Sequence, residues 1–222
     1  YHVPKGELFM PNEQSLKDYI YTSILQDIVN SEYTPNQIIT EKEIIQKYNC
    51  SRSPVREALI SLCGDNVLRN IPRCGYQVVH ITLEDIEDIQ RYRLVLECGM
   101  LRFFYNTITK DQINRLKELD EDCSSIDGLW KHWKANTEFH LYLISLSCNN
   151  YAYQELKKAM SILRRAYAQY YHDKWDISIP SMQYYVDTHH HINLIQALEE
   201  HDLDRATKIL YDDLNEFCGV RV

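Results

Sequence analysis

Residues 51–59 of the 222-residue chain read Ser-Arg-Ser-Pro-Val-Arg-Glu-Ala-Leu. Ser51 or Ser53 can cap a helix here, and Pro54 is tolerated in a first helical turn, where its missing N–H costs little. The apolar face of the predicted helix consists of Val55, Leu59 and Leu62. The segment therefore predicts a short amphipathic helix that ends near Cys63.

Two further helices are predicted before this segment. The first begins at an N-cap, Ser15, and ends near Asn30. Its apolar stripe, which repeats every four residues, consists of Leu16, Ile20, Ile24 and Ile28. The second helix begins at Thr40, which forms a capping box with Glu43. Both helices are short and bury one face.

A β-hairpin is predicted after the third helix. Residues 67–70 and 76–79 are β-prone, and Pro72 and Gly75 separate the two runs. Three short helices followed by a hairpin are the element order of a winged helix-turn-helix, which binds DNA. We therefore expect a winged helix-turn-helix domain over residues 15–80.

The rest of the chain has a helical pattern. Six segments with helical spacing of their apolar residues begin near residues 82, 109, 127, 150, 181 and 202. Their short connections predict an antiparallel six-helix bundle over residues 82–217. Residues 1–14 show no periodicity and are expected to form a flexible arm. The predicted fold class is mainly α, and the low glycine and proline content, six residues of each, agrees with it.

The distribution of charge and the cysteine content limit the classes of function that the chain can have. The net charge is −8, but residues 1–80 carry only −1, and within residues 38–73 six basic side chains outnumber four acidic ones. A local positive face for DNA is therefore possible. The seven cysteines include no C-x-x-C pair, a pattern typical of reduced thiols in the cytoplasm. No apolar run approaches the ~18 residues of a membrane span.

The first part of the chain, over about residues 15–80, resembles the DNA-binding domain of the GntR family of bacterial transcription regulators. The resemblance rests on the Ser-Arg-x-Pro-Val-Arg-Glu-Ala-Leu run at 51–59 and on a wing with a Pro-x-x-Gly tip at 72–75. It implies a protein that binds double-stranded DNA through the third helix and the wing. The residues expected to contact DNA are Lys42, Arg52, Ser53, Arg56, Arg73 and Gly75.

The physical chemistry of two arginines agrees with this resemblance. Arg52 and Arg56 are four residues apart, so both project from one side of the amino-terminal part of the helix, where a recognition helix meets base edges. A guanidinium group can bind O6 and N7 of guanine together. We assign both arginines to base or phosphate contacts. Lys42 and, more weakly, Lys47 and Arg73 are expected to contact the DNA backbone. Gly75 would let the wing approach the minor groove closely. The alternative is that Arg56 pairs with a nearby acid while Arg52 is solvated.

The helical region resembles the FCD effector domain of the FadR-like branch of the same family. In that domain an Asp-x-x-x-His pair and two later histidines commonly hold a divalent metal. The matching positions are Asn136, His140, His191 and Asp213. Two of them depart from the pattern, because Asn136 replaces the usual aspartate and Asp213 replaces the usual last histidine.

The altered set remains competent to bind a metal. Two imidazoles and one carboxylate suit Zn²⁺, Mn²⁺, Ni²⁺ or Fe²⁺, with the amide of Asn136 as a weak neutral ligand. The alternative is a bundle without metal, in which the four side chains form a buried hydrogen-bond network or an anion pocket. Arg93, four residues before Glu97, resembles an element of the family's first effector helix. It implies a clamp for the carboxylate of a small organic-acid effector, and the alternative is a surface ion pair between the two side chains.

These features predict a cytoplasmic, ligand-responsive transcription regulator that binds a palindromic operator as a homodimer and does not contact membranes. Effector binding in the bundle would shift the placement of the DNA-binding domains. The chain is not expected to be an enzyme. The alternative function is a metal-dependent enzyme that uses the two histidines and the aspartate, although no separate nucleophile or general base is evident. A third possibility is a metal-stabilised dimerisation module with vestigial DNA contact.

Overall fold

The protein is described from a computed structural model over residues 15–125, 129–171 and 189–216. Within these ranges the chain forms nine helices and one three-stranded sheet, in agreement with the predicted mainly α class. These residues divide into two compact units, the first made of residues 15–81 with 168–171 and the second of residues 82–125, 129–167 and 189–216. The predicted flexible arm at 1–14, the predicted helix start near 181 and the helix limits near 127 and 217 lie outside the described residues.

The first unit is a winged helix-turn-helix. Its elements are α1 (Leu16–Val29), β1 (Ile38–Ile39), α2 (Glu41–Tyr48), α3 (Arg52–Gly64), β2 (Leu68–Ile71) and β3 (Gly75–Val78). The strands are antiparallel in the order β1-β3-β2. The hairpin is thus confirmed, but β1 was not predicted. It has only two residues, so no periodicity could indicate it, and it is held by its pairing with β3.

Capping residues set the helix starts of this unit as the sequence predicts. Ser15 Oγ accepts a hydrogen bond from the backbone N–H of Asp18 at 3.2 Å. Thr40 and Glu43 form the predicted capping box at the start of α2. Of the two candidate caps of α3, Ser51 occupies the N-cap position, without a side-chain hydrogen bond. The buried core joins the stripes of all three helices to the wing, and its fully buried members include Ile20, Ile24, Ile44, Val55, Leu59 and Leu62.

Gly75 is required by the sheet itself. Its φ is +136°, and an added Cβ would lie 2.5 Å from the carbonyl oxygen of Ile39 on β1. Any side chain would therefore be strained and would collide with backbone. The pairing of β3 with β1 therefore requires glycine at this position. The sequence could not indicate this requirement, because it did not predict β1.

The second unit consists of helices. Its elements are α4 (Leu83–Leu101), α5 (Lys110–Ser125), α6 (Leu129–Ser145), α7 (Asn150–Tyr171), α8 (His189–Glu199) and α9 (Leu203–Glu216). Residues 168–171, at the end of α7, belong to the first unit. Thr82 and Asp85 form a capping box at the start of α4. From the sequence we expect this helix to run to about Asn106, but it ends at Leu101, because residues 102–107 form turns.

The core of the second unit contains apolar side chains and, beside them, a set of buried polar ones. Its fully buried apolar members include Leu101, Leu116, Phe139, Ala197, Leu198, Ala206 and Leu210. Next to them the helices also bury polar and charged side chains, among them Arg93, Glu97, Asp120, Asn136, His140, His191 and Asp213. Buried groups of this kind require partners, and their arrangement indicates a site. In the three described ranges, no helix combines the length and apolarity that crossing a membrane requires.

Candidate functional site

Helix α3 presents the two predicted DNA-binding arginines to solvent. The side chains of Arg52 and Arg56 are 75% and 63% exposed. The opposite face of the helix is locked in the core, because Val55 and Leu59 are completely buried. The burial of one face leaves the guanidinium groups on the outer face, as a recognition helix requires.

Glu41, at the first position of α2, contacts both arginines. Its carboxylate accepts a 3.0 Å hydrogen bond from Nε of Arg52, and its other oxygen lies 4.0 Å from Nε of Arg56. The hydroxyl of Tyr76, on β3, donates to the same carboxylate at 3.5 Å. Burial and then the charge of Glu41 raise the pKa of Tyr76. One acid therefore links α2, the recognition helix and the wing.

This contact partly matches the alternative that an acid pairs with Arg56. The acid exists, but it bonds more closely to Arg52, and both guanidinium groups remain largely exposed. Exposed ion pairs of this kind stabilise a protein by about 0–1 kcal/mol, so DNA phosphates can compete for the arginines. Sequence analysis did not single out Glu41. Its position at the start of a helix beside a basic motif was the available signal.

The remaining predicted DNA contacts have different surroundings. Lys42, Ser53 and Arg73 are exposed, and Ser53 Oγ donates to Glu57 at 3.0 Å. Arg73 has a φ of +66° at the tip of the wing. Lys47 instead forms ion pairs within the unit, 2.8 Å from Asp27 and 2.5 Å from Glu32.

The second unit brings three of the four predicted metal ligands together. Candidate ligand atoms of His140, His191 and Asp213 all lie within 4.8 Å of one another. Nε2 of His140 is 3.4 Å from Oδ2 of Asp213. Two donors that each lie about 2.1 Å from a tetrahedral ion would be about 3.4 Å apart. The three side chains come from α6, α8 and α9, and all are buried.

A carboxylate holds the other ring nitrogen of each histidine. Nδ1 of His140 is 2.8 Å from Oε2 of Glu97, and Nδ1 of His191 is 3.2 Å from Oδ1 of Asp120. Both Nε2 atoms are thereby available to the cluster, and Nε2 of His191 is buried without a hydrogen-bond partner among the described residues. Carboxylates behind imidazoles are the usual supports of metal-ligating histidines. The donor set therefore fits a divalent ion.

Asn136 lies one turn before His140 on α6 and is 2% exposed. Its Nδ2 is buried and has no hydrogen-bond partner in the described part of the chain. An amide that ligates an ion does so through oxygen, which leaves its nitrogen for other contacts. Asn136 is therefore buried, as the ligand prediction requires.

Arg93 is buried, contrary to the alternative of a surface ion pair. It is 1% exposed, its Nε donates to Glu97 at 2.8 Å, and its Nη1 donates to Gln90 at 3.4 Å. Its Nη2 has no partner within the described ranges. Burial alone would raise the pKa of Glu97, but the charges of Arg93 and His140 lower it. Arg93, Glu97 and His140 thus form one hydrogen-bonded chain that ends at the cluster.

Asp120 is a site residue that sequence analysis missed. It lies on α5, four residues after the buried Leu116, which itself follows the buried Ile113 by three residues, so the three share one face of the helix. A carboxylate on an otherwise apolar stripe was the available signal. Cys98, which follows Glu97, is not a candidate thiolate in the metal-free protein, because burial and then the charge of Glu97 raise its pKa to about 11.

Two family matches cover most of the chain. Residues 16–78 match the family described as "Bacterial regulatory proteins, gntR family", and residues 88–216 match the FCD domain. The HTH-type transcriptional repressor RspR of Escherichia coli K12 is similar, with 25% identity over 207 residues, 91% of this chain and 87% of the relative.

Solved structures share the fold. Escherichia coli McbR/YncC has a TM-score of 0.72 and 19% identity, over 93% of this chain and 96% of that chain. A transcriptional regulator GntR from Rhodococcus sp. RHA1 has a TM-score of 0.68 and 22% identity, over 93% and 97%. At these identities the likeness establishes the fold alone.

Proposed function

The chain belongs to the GntR family of bacterial transcription regulators and carries an FCD domain, and from this premise we propose how its residues perform regulation. The FCD domain is a ligand-binding effector domain, and the winged domain binds DNA. The enzyme alternative is not supported, because both matched families and the similar proteins are transcription regulators. The proposal concerns the operator contacts, the metal and the class of effector.

The exposed pair Arg52 and Arg56 on α3 carries the DNA part of the proposal. We assign base-edge or phosphate contacts to them, and supporting contacts to Lys42, Ser53, Arg73 and the backbone at Gly75. A homodimer with two-fold symmetry would present two such helices to a palindromic operator. A regulator that binds the bacterial chromosome works in the cytoplasm, where we place this protein.

The effector part of the proposal rests on the buried cluster. His140, His191 and Asp213 would hold a Zn²⁺, Mn²⁺ or Ni²⁺ ion, with Asn136 as a fourth neutral ligand. The ion would supply a positive centre for a carboxylate. One buried guanidinium nitrogen of Arg93 has no partner among the residues that the structure describes. This nitrogen would bind the second oxygen or a second carboxylate of the effector. The effector class is therefore a small organic acid.

Effector binding can regulate operator binding even if the effector binds one arrangement of the DNA-binding domains only moderately better than another. A ligand that favours one arrangement of the DNA-binding domains by about 1–3 kcal/mol changes operator affinity about 5- to 150-fold. The same coupling makes operator DNA change effector affinity by an equal factor.

The DNA assignment is tested by fluorescence anisotropy with the protein's own upstream region. The Arg52→Ala/Arg56→Ala double variant should lose operator preference, because base-edge contacts and phosphate neutralisation are removed together. Arg91→Ala is the matched control, because this arginine is equally exposed, at 70%, but lies in the second unit. Equal operator binding by the double variant and the wild-type protein would refute the assignment.

The metal assignment is tested by elemental analysis and thermal shift. His140→Ala and His191→Ala should lower bound metal and remove stabilisation by added Zn²⁺, Mn²⁺ or Ni²⁺. His201→Ala, an exposed histidine whose ring bonds the carbonyl of Tyr105, should retain both. A wild-type protein that neither contains metal nor gains stability from these ions would refute the site.

A further inference from the structure

The exposed face of helix α3 carries an apolar side chain beside the two arginines. Ile60 is 55% exposed, and it follows Arg56 by four residues, the interval that also separates Arg56 from Arg52. Residues at this interval lie one above another on the surface of a helix. The three side chains therefore form one line along the outer face of α3.

Packing within the protein does not explain this isoleucine. The inner face of α3 is buried through Val55, Ala58, Leu59 and Leu62. Among the described residues, Ile60 belongs neither to the buried core of the first unit nor to the partly buried side chains packed against it. Single exposed apolar residues are ordinary on protein surfaces, but this one lies on the face that the two arginines would turn toward DNA.

The major groove of DNA offers one apolar group to such a side chain. Every base pair presents hydrogen-bond donors and acceptors there, and thymine adds a methyl group at C5. The side chain of Ile60 can neither donate nor accept a hydrogen bond, so its contact with a polar base edge would leave that edge without a partner. The methyl group of thymine is therefore the base feature that matches Ile60.

The geometry of the helix gives an approximate position for that thymine. Ile60 lies four residues after Arg56, which is a rise of about 6 Å along the helix axis. Base pairs are about 3.4 Å apart along the duplex, so Ile60 on a helix that lies along the groove would face a base pair about two steps from the one that faces Arg56. This base pair lies on the side away from Arg52.

We propose that Ile60 is a specificity-determining residue that recognises a thymine in each operator half-site through van der Waals contact with its C5 methyl group. The proposal rests on the proposed function, in which Arg52 and Arg56 bind the same groove. The arginines supply charge and hydrogen bonds for phosphates and guanine, and Ile60 adds a contact that adenine, guanine and cytosine cannot provide. Its place in line with the arginines favours DNA as its partner.

The test replaces thymine with deoxyuridine, which removes only the methyl group and keeps every hydrogen-bonding atom of the base. Footprinting on the protein's own upstream region first locates the operator. Each thymine is then replaced in turn, at symmetric positions of both half-sites, and affinity is measured by fluorescence anisotropy. Replacement at one position should weaken binding by the wild-type protein about 16-fold, because burial of one methyl-sized group changes an equilibrium constant about fourfold in each half-site.

Ile60→Ala removes the side chain that contacts the methyl group. This variant should bind the thymine operator at least about tenfold more weakly than the wild-type protein does, and the loss of the methyl group at that position should no longer change its affinity. Ile60→Val keeps a branched apolar side chain and should remain sensitive to the methyl group. Ile192→Ala is the matched control, because this isoleucine is similarly exposed, at 53%, but lies on α8. It should respond to the replacement as the wild-type protein does.

The coupling between side chain and methyl group is the difference between the responses of the wild-type protein and Ile60→Ala. Responses that are alike at every thymine would overturn the proposal. Equal weakening of operator and random DNA by Ile60→Ala would also overturn it, because Ile60 would then act without recognising sequence. Circular dichroism checks that each variant folds.

The Arg52→Ala/Arg56→Ala double variant is measured in the same assay. If it loses operator preference while Ile60 shows no coupling to any thymine, the role of Ile60 is refuted and the DNA assignment of the arginines stands. If it binds the operator as the wild-type protein does, the proposed function and the role of Ile60 are both refuted.

Discussion

Asp120→Asn should weaken metal binding while leaving the shape of the core almost unchanged. Oδ1 of Asp120 lies 3.2 Å from Nδ1 of the buried His191, so the carboxylate orients the ring and directs Nε2 toward His140 and Asp213. An asparagine can still accept a hydrogen bond from Nδ1, but it removes the negative charge that makes the imidazole a stronger ligand. The variant therefore isolates the electrostatic contribution of this support.

The size of the effect follows from the role of such supports. Loss of one carboxylate behind a ligating histidine weakens metal binding about 10- to 100-fold, which corresponds to about 1.4–2.7 kcal/mol. Asp120→Asn retains the acceptor, so we expect the lower end, about tenfold. Asp120→Ala also frees the ring to rotate, so we expect the upper end, about a hundredfold.

The assay is competition with a chromogenic chelator for Zn²⁺, with operator affinity in the absence of effector measured on the same samples. Asp111→Asn is the control, because it removes a carboxylate from the exposed first turn of the same helix. Metal affinities that are equal in the wild-type protein and both Asp120 variants would refute the reasoning. A loss of operator affinity as large as the loss of metal affinity would show that the variants disturb the fold instead.

Three other predictions concern the winged unit and the buried carboxylate of Glu97. Gly75→Ala should destabilise the protein by about 1–3 kcal/mol in urea unfolding, because the φ of Gly75 is +136° and a Cβ there would lie 2.5 Å from the carbonyl oxygen of Ile39. Gly64→Ala, where a Cβ meets nothing within 4 Å, should be neutral or stabilising. Glu41→Gln removes the acid that bonds Arg52 and faces Arg56, so it should increase non-specific DNA affinity and reduce discrimination between operator and random DNA. Anisotropy across a salt series measures both, and unchanged discrimination would show that Glu41 does not orient the two arginines. The pKa of Glu97 is lowered, so its ionised form contributes stability above its unfolded pKa that is lost as pH falls through the folded value. The metal-free Glu97→Gln variant should therefore lose less stability on acidification than the wild-type protein, and parallel stability profiles would contradict this.

Sequence patterns predicted the features that depend on local chemistry. The capping box of Thr40 and Glu43, the apolar stripe of α1 and the paired arginines of α3 each depend on a few residues close in the chain, and the structure contains all three. Resemblance to the FCD domain supplied His140, His191 and Asp213, which the fold brings together from three helices. Spacing within one helix could not have identified a cluster of that kind.

Features created by tertiary contact were not predictable in the same way. Strand β1 exists because two residues pair with β3, and the sequence could not indicate that this pairing requires Gly75. The pairing of Arg93 with Glu97 was foreseen as a surface alternative, but only the packing of the other helices makes it buried. Asp120 lies 71 residues from its partner His191, a distance that no periodicity spans.

The cluster and the two carboxylates behind its histidines come from five helices, α4, α5, α6, α8 and α9. They are Glu97, Asp120, His140, His191 and Asp213. An occupant at its centre would restrain five helices at once, so its effect is expected in the amplitude of their fluctuations as well as in their positions. A protein that is already more rigid loses less conformational entropy when it binds a second ligand. Filling the centre can therefore raise the affinity for that second ligand. Amide hydrogen exchange should then slow in all five helices together when the centre is filled, and the slowing should be graded with occupancy.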